Sequence, residues 1–324
     1  MKKLWILILG VVLMCMACGE NSLDQEEALG EKETIILKPV PEGAQALSLF
    51  DEPLFSSIPG ESTLGKYEAA KAEYEAQPND ADKLIWFGRW TAYKGDYRES
   101  IRIYSDGIRK FPEDARIYRH RGHRYISIRE FDRAIQDFEK AVSLIEGTKD
   151  QIEPDGQPNA QNIPISSLHT NIWYHLGLAY YLKHDLENAL RIYRKRIEAS
   201  QNDDNVVSTV HWLYMTLRLL GRNEEAEQAL ELIHKDMNII ENMAYHELCL
   251  FYKVELSEED IIEKNLSDSA NAAVEYGIAN YYFYSGDKAR AQDIYERMLK
   301  SKGWASFGYI AAEADFVREF RQDI

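Results

Sequence analysis

The sequence is short of the residues that interrupt helices and of those that cross-link small folds. Its 324 residues include nine prolines, 18 glycines and three cysteines. So few prolines and glycines favour a helical chain, and three cysteines exclude a framework of several disulfides. Positive charge is also scarce, since 38 Lys and Arg stand against 54 Asp and Glu, a formal net charge of -16. This balance argues against general nucleic-acid binding, which needs an excess of Lys and Arg.

Motifs of the common enzyme classes are missing as well. The chain has no G-x-S-x-G, no phosphate-binding loop and no dinucleotide-binding glycine pattern. Two histidines, His120 and His123, are three residues apart on one predicted helix, but neighbouring arginines would repel a cation and no ligand set is complete. We therefore expect a protein that is not an enzyme and holds neither a metal nor a cofactor.

The N-terminus has the pattern of an export signal. Two lysines precede an apolar run, residues 4–14, which is too short to span a bilayer as a permanent helix. The run ends in LMCMACGE, which resembles the lipobox of bacterial lipoproteins with Cys18 as the lipid-modified residue. Cys15 stands where that family usually has Leu, so ordinary signal-peptidase cleavage after Ala17 is the alternative.

The lipobox resemblance implies a location and a tether. Gly19 follows Cys18, and in the family's sorting rule this implies an outer-membrane lipoprotein, on the periplasmic side or at the surface. Residues 1–17 are then the signal peptide. Residues 18–60, acidic at first and then studded with proline, are predicted to be a tether, whose apolar pieces TIIL and LSLFDEPLF are candidates for docking on the folded body.

The remainder of the chain, residues 61–324, repeats itself with a period of 34 residues. Gly88 and Gly122 are 34 residues apart, as are Tyr104 and Phe138. Each unit has a small residue in one helical stretch, then a turn, then an aromatic residue in a second stretch. This pattern resembles the tetratricopeptide repeat, and the resemblance implies an all-α superhelix, a solenoid of about five to six helix pairs. The small residues should lie where paired helices approach most closely.

The repeat boundaries follow from this spacing. The clear units are 81–114, 115–148, 170–203, 207–240 and 272–305, and a degenerate unit covers 242–271. Residues 147–167 are a proline-containing insertion, which we interpret either as a tolerated excursion or as a lid. Residues 306–320 are predicted to form a C-terminal capping helix.

One segment departs from the acidic composition. Residues 117–131, IYRHRGHRYISIREF, hold four arginines and two histidines. In tetratricopeptide repeats the first helix of each pair lines a concave groove, whose ligands are usually extended peptides or partner helices. The resemblance therefore implies these groove-lining residues: Arg89, Tyr93, Arg119, His123, Tyr174, Tyr181, His211, Arg218, Tyr276 and Asn280.

A basic, aromatic groove in an acidic protein suits an anionic ligand. We expect a membrane-anchored adaptor or scaffold that binds an acidic peptide or partner protein; a lipoprotein that captures a small ligand or a glycan is the alternative. If His123 faces the groove, anion binding should strengthen as the pH falls through about 6.5. The opposing interpretation is a solvated basic face. Arg124 is expected to be partly solvated, and Arg129, at a turn, to stand apart from the site.

Overall fold

A computed structural model describes residues 36–264 and 268–321. The export signal, Cys18 and the first part of the predicted tether lie outside the described residues. The elements from Lys38 onward belong to one structural unit. Within the described ranges, no helix combines the length and the apolar character needed to cross a membrane.

Helices make up nearly all of the regular structure in the described residues. They are α1 (Glu61–Ala76), α2 (Ala81–Tyr93), α3 (Tyr97–Lys110), α4 (Ala115–Ser127), α5 (Phe131–Ile145), α6 (Leu168–Leu182), α7 (Leu186–Ala199), α8 (Asp203–Leu219), α9 (Asn223–Leu230), α10 (Met243–Tyr252), α11 (Glu258–Lys264), α12 (Asp268–Ser285), α13 (Lys288–Leu299) and α14 (Phe307–Glu319). Two short strands, β1 (Ala46–Leu47) and β2 (Pro53–Leu54), pair antiparallel. The all-α class predicted from the sequence is confirmed.

Turns of one backbone type join these helices into pairs. The pairs are α2/α3, α4/α5, α6/α7, α8/α9, α10/α11 and α12/α13. In the part of the chain that the structure describes, each of these turns contains one residue of positive φ: Gly95, Arg129, His184, Gly221, Val254 and Gly286. Glycine adopts this conformation at little steric cost, whereas the other three residues are strained by it. Six such turns confirm a solenoid of about five to six helix pairs.

Aspartate restarts the helix after three of these turns. Asp96, Asp185 and Asp287 each accept a hydrogen bond from the backbone N–H three residues further on. Such an N-cap satisfies a donor that the helix itself leaves unpaired, and contributes typically about 1 kcal/mol. The short sequences GD and HD therefore encode both the end of one helix and the start of the next.

The small residues of the repeat lie at close helix contacts, as predicted. A Cβ on Gly88 would lie 2.4 Å from the ring of Tyr104, and one on Gly122 would lie 2.9 Å from the ring of Phe138. Atoms at these separations overlap, so a larger side chain would push the paired helices apart.

The first helices of successive pairs contact one another along the array and form one continuous face, called here the inner face. The last helix, α14, turns back onto this face. It packs against α12 and α13, and it also reaches α6. Phe307, at its start, has its ring centre 5.1 Å from that of His123 on α4 and 5.6 Å from that of His175 on α6. Helix α14, in the stretch predicted as a cap, therefore fills part of the inner face.

The predicted tether, residues 18–60, differs from a free linker in its described part. Leu49 N–H donates to a carboxylate of α14 at 2.9 Å, and Trp304 Nε1–H donates to the carbonyl oxygen of Phe55 at 2.8 Å. Ala44 and Ala46 are buried. Residues 38–55 are thus an N-terminal arm fastened to the helical body, because its backbone groups find partners there. The piece LSLFDEPLF, expected to be a candidate for docking, belongs to this arm, and the boundary of the tether at residue 60 stays a prediction.

Candidate functional site

Two arginines of the basic stretch have structural partners. Arg121 donates two hydrogen bonds to the carboxylate of Asp137, at 2.7 and 2.8 Å. Arg129 donates from Nε to Glu313 of α14 at 2.8 Å, and the two side chains are 3% and 0% exposed. Arg129 lies at the turn between α4 and α5, and its guanidinium forms a buried ion pair between the second helix pair and the last helix.

Arg119 belongs to a buried cluster with the insertion loop. Its Nη2 lies 3.4 Å from Glu153, and its Nη1 donates to His120 Nδ1 at 2.9 Å. A guanidinium only donates, so Nδ1 accepts, and the neutral ring carries its proton on Nε2, 3.1 Å from Glu153. Burial and the charge of Arg119 lower the pKa of His120 to about 3. Burial alone would raise the pKa of Glu153, but Arg119, His120 and the amide of Asn171 together lower it.

Arg124 is the exception in this stretch. Among the described residues its side chain has neither an ion pair nor a hydrogen bond, and its guanidinium lies over the ring of Tyr97, 5.7 Å from the ring centre. Burial lowers the pKa of the Arg124 guanidinium. A partly buried cation without a carboxylate partner is unfavourable for folding alone. Arg124 is therefore a candidate for contact with a ligand.

A cavity of about 210 Å³ lies beside Arg124, and we call it the arginine pocket. Its lining residues are Arg89, Ala92, Tyr93, Tyr104, Arg119, His120, His123, Arg124, Asp155, Gly156, Gln157, Ser166 and Asn171. Helices α2, α4 and α6 supply its walls. The insertion loop 147–167 covers it.

The pocket contains hydrogen-bond donors that lack acceptors. Arg89 donates from Nη1 to the carbonyl oxygen of Pro154 at 2.7 Å, and its guanidinium lies over the ring of Trp86. The Nε–H groups of Arg89 and Arg119 are buried and have no hydrogen-bond partner within the described residues. Buried donors are normally satisfied, so these two mark a place where an acceptor is missing.

The insertion loop is built to stay over the pocket. Asp150 accepts hydrogen bonds from Ser167 Oγ at 2.6 Å and from the backbone N–H of His169 at 3.0 Å, which closes the base of the loop. At its tip, a Cβ on Gly156 would lie 2.5 Å from Tyr93 Oη. Because the loop forms one wall of the arginine pocket, this geometry supports the lid interpretation over a tolerated excursion.

Four of the ten residues predicted to bind ligand come together at this cavity. Arg89, Tyr93, Arg119 and His123 all line it. Their assignment as binding residues stays a prediction, but the shared position is the one that the repeat spacing implies.

The predicted residues further along the chain surround α14 instead. Tyr276 Oη, Asn280 Nδ2 and Tyr295 Oη donate to Asp315 of α14, at 2.9, 3.2 and 3.3 Å. Tyr181 Oη lies 2.6 Å from Tyr276 Oη. These groups are buried, so in this region the chain's own carboxylate occupies the predicted groove.

The other three predicted residues also have internal partners. Tyr174 Oη accepts a hydrogen bond from Trp212 Nε1 at 3.1 Å. His211 is fully buried, lies 3.2 Å from Tyr252 Oη, and has its pKa lowered by burial to about 3. Arg218 donates to Tyr214 Oη at 2.9 Å. We describe these three residues as parts of the aromatic core of the inner face.

His123 does not have the environment of a pH sensor. Its ring centre lies 4.6 Å from that of His175 and 5.1 Å from that of Phe307. Burial, and then the charge of Arg124, lower the pKa of His123 well below its ordinary value. The expected titration near pH 6.5 is therefore corrected, since a histidine in this position stays neutral there.

Among the charged residues that line the pocket, sequence reasoning missed two, Arg124 and Asp155. One signal was available for Arg124, because it lies four residues after His120 and so shares that helical face. Asp155 comes from the insertion, where no periodicity applies. Among the described residues, no group of three or more His, Cys, Asp or Glu side chains is arranged to hold a metal.

Comparison with known families finds a repeat in two parts of the chain. Two family models described as tetratricopeptide repeat match residues 92–149 and 170–203. Together with the six helix pairs, these matches support a tetratricopeptide-repeat protein, as the sequence pattern predicted.

Individual proteins show weaker similarity. BBSome complex member BBS4 of Bos taurus is 25% identical over 140 residues, and the match covers 43% of this chain and 23% of that protein. The chain thus spans about a quarter of this relative's length. Similar solved structures include YrrB, described as a TPR protein with an unusual peptide-binding site, at 16% identity and a TM-score of 0.40, covering 76% of this chain and 96% of YrrB. Another is the structure of Naa15/Naa10 bound to HypK-THB, with 16% identity and a TM-score of 0.36. The match covers 78% of this chain and 37% of that chain.

Proposed function

We propose that this chain is a non-catalytic adaptor or scaffold that binds an acidic segment of a partner protein at the arginine pocket. Tetratricopeptide repeats are typical of protein-interaction modules, which supports the coarser part of the proposal. The observation that carries the finer part is Arg124, which lines the pocket without a carboxylate partner among the described residues. A partner carboxylate would supply the missing counter-ion.

The pocket favours a carboxylate on physical grounds. Guanidinium groups match carboxylate geometry, and a hydrogen bond to a charged group contributes about 1.5–3 kcal/mol. The loop and the ring of Tyr93 lie beside the arginines in the pocket wall, and charge interactions there are stronger where water is displaced. The pocket also lies on the inner face, where its volume of about 210 Å³ can take one side chain or chain terminus of a longer bound segment.

The adaptor is proposed to be an envelope lipoprotein anchored through Cys18. The support is the lipobox-like sequence LMCMACGE, with Ala17 before and Gly19 after the cysteine. Nineteen residues, 19–37, separate Cys18 from the N-terminal arm at Lys38, which gives a reach of at most about 70 Å. Mass analysis of the mature N-terminus tests this part. An unmodified N-terminus would refute the anchor and leave the binding proposal standing.

The binding proposal is tested by partner titration. Partners captured from the native organism would be titrated against the wild type, Arg124→Met and Arg119→Ala. We expect the two pocket variants to weaken binding by roughly ten- to a hundredfold, the loss of one charge-assisted interaction. Arg102→Met is the control, since Arg102 is exposed on α3 and pairs with Glu99 at 2.6 Å. An equal loss in the control would mean that only bulk charge matters.

A second cavity supports the glycan alternative. It measures about 280 Å³ and is lined by residues that include Tyr93, Tyr97, Trp304, Ser56 and Ser306. Aromatic rings beside hydroxyl groups suit a sugar. Titration with envelope oligosaccharides, followed by tryptophan fluorescence, tests it; a response that Tyr97→Ala abolishes would favour the glycan over the peptide.

A further inference from the structure

We propose that Asp155 makes the arginine pocket selective for a singly charged oxyanion, such as a carboxylate, over a doubly charged one. The inference rests on the proposed function, because it concerns the ligand of the same pocket. It goes further by assigning the choice of ligand charge to one residue of the insertion loop.

The charged side chains around the pocket have a net charge of about +1. Three arginines line it, Arg89, Arg119 and Arg124. Against them stand two carboxylates, Glu153 behind Arg119 and Asp155 in the pocket wall. The nearby histidines stay neutral, since burial lowers their pKa values. Three positive and two negative charges give a net charge of about +1, which one monoanion neutralises.

Asp155 influences the pocket without being bound to any one arginine. Within the described residues it forms neither a hydrogen bond nor an ion pair, yet it lines the cavity with Arg89 and Arg119. Burial raises the pKa of Asp155, and the charge of Arg89 opposes the rise. Glu153, in contrast, is fixed by Arg119 and Asn171. Asp155 is therefore the carboxylate of the pocket wall whose charge is not neutralised by a direct ion pair.

The pocket, with a volume of about 210 Å³, has room for a small oxygen-bearing group. The donors that lack acceptors, Arg89 Nε–H and Arg119 Nε–H, accompany the guanidinium of Arg124. Two oxygens of a carboxylate or three of a sulfate can both accept from such donors. Hydrogen bonding therefore does not discriminate between them, and net charge does.

A dianion in the pocket would bring the local charge to about -1, with Asp155 and Glu153 both repelling it. A monoanion brings the charge to about zero. Removing the charge of Asp155 makes the empty pocket about +2, so the preference should reverse. Lys or Arg elsewhere on the surface would not give this reversal, because exposed charges are screened by solvent and salt.

In the experiment, formate and sulfate are titrated into the full-length protein at constant ionic strength, with chloride as the balancing anion. Binding is followed by the NMR signals of the arginine Nε–H groups. We expect the wild type to bind formate more tightly than sulfate. In Asp155→Asn, sulfate binding should tighten by about tenfold, with a smaller gain for formate. Arg124→Met should weaken both anions.

Glu146→Gln is the matched control. Glu146 is exposed at the end of α5, and its substitution removes the same unit of charge as Asp155→Asn. Asp155→Ser carries the same test should the amide variant misfold. Equal sulfate affinity in the wild type and both Asp155 variants overturns the inference. An equal gain in sulfate affinity in Glu146→Gln also overturns it, and so does a wild type that binds neither anion. These outcomes are separate from the proposed function, which fails when a captured partner binds Arg124→Met as tightly as the wild type.

Discussion

The two ends of the inner face treat negative charge differently. At the downstream end, the buried carboxylates Glu313 and Asp315 of α14 are held by Arg129 and by tyrosine hydroxyls. At the upstream end, Arg124 faces a cavity and forms no ion pair among the described residues, although Asp155 lines the same cavity. The buried carboxylates of α14 thus have donors within the chain, whereas the guanidinium of Arg124 has no carboxylate partner among the described residues. The comparison teaches that the solenoid's inner face accepts acidic groups, and that its upstream part has room for one from outside.

Breaking the downstream closure should have the largest effect. We expect Arg129→Met to lower the free energy of unfolding by about 3–5 kcal/mol, because it leaves Glu313 buried without its cation. Urea unfolding measures the loss. The double variant Arg129→Met with Glu313→Gln should recover part of it, since no unpaired charge remains. Arg102→Met should change stability by less than about 0.5 kcal/mol, and a similarly small change in Arg129→Met would contradict the buried ion pair.

A direct contrast between the two ends sharpens the comparison. Asp315→Asn should destabilise the protein by about 1.5–3 kcal/mol, because several donors converge on that carboxylate. Arg124→Met should leave stability unchanged or raise it, since no described partner is orphaned by the change. Thermal unfolding of both variants measures the difference. If Arg124→Met is as harmful as Asp315→Asn, then Arg124 is part of the core and the upstream site is closed too.

The smallest expected effect is a pH dependence that stays nearly flat. Burial lowers the pKa values of His123 and His120, so neither ring gains charge between pH 8 and pH 6. Formate affinity of Asp155→Asn, a background that removes the aspartate titration, should change by less than about twofold over this range. A steady rise on acidification, centred near the ordinary histidine value of about 6.5, would show that His123 is accessible and charged.

The solenoid itself could be predicted from the sequence because its rules are local. Gly122 and Phe138 are 16 residues apart, and their contact recurs with the 34-residue period in Gly88 and Tyr104. The turn residues and the capping aspartates lie within a few positions of each other. Such short-range patterns survive in a single sequence, so helix pairs and their number were recoverable.

The roles of individual arginines could not be predicted in the same way. Arg124 and Arg129 are five residues apart in one basic stretch, yet Arg124 lines a cavity and Arg129 forms a buried ion pair. The partner of Arg129 is 184 residues away in α14, and nothing in the local pattern indicates it. The insertion that covers the pocket lies outside the 34-residue repeat, so its position could not be predicted from the repeat spacing either. Contacts of large sequence separation decided the site, and periodicity carries no information about them.

Glu313 also has a consequence for how the molecule unfolds. Its two oxygens accept from Leu49 of the N-terminal arm and from Arg129 of the second helix pair, at 2.9 and 2.8 Å. An open solenoid is linear, so its repeats interact only with their neighbours and terminal repeats can fray one at a time. Here the carboxylate of Glu313 joins the N-terminal arm, the second helix pair and the last helix, α14. Fraying at either end breaks the same junction, so loss of the two ends becomes a single cooperative event, and hydrogen exchange in α14 should be coupled to that in the arm.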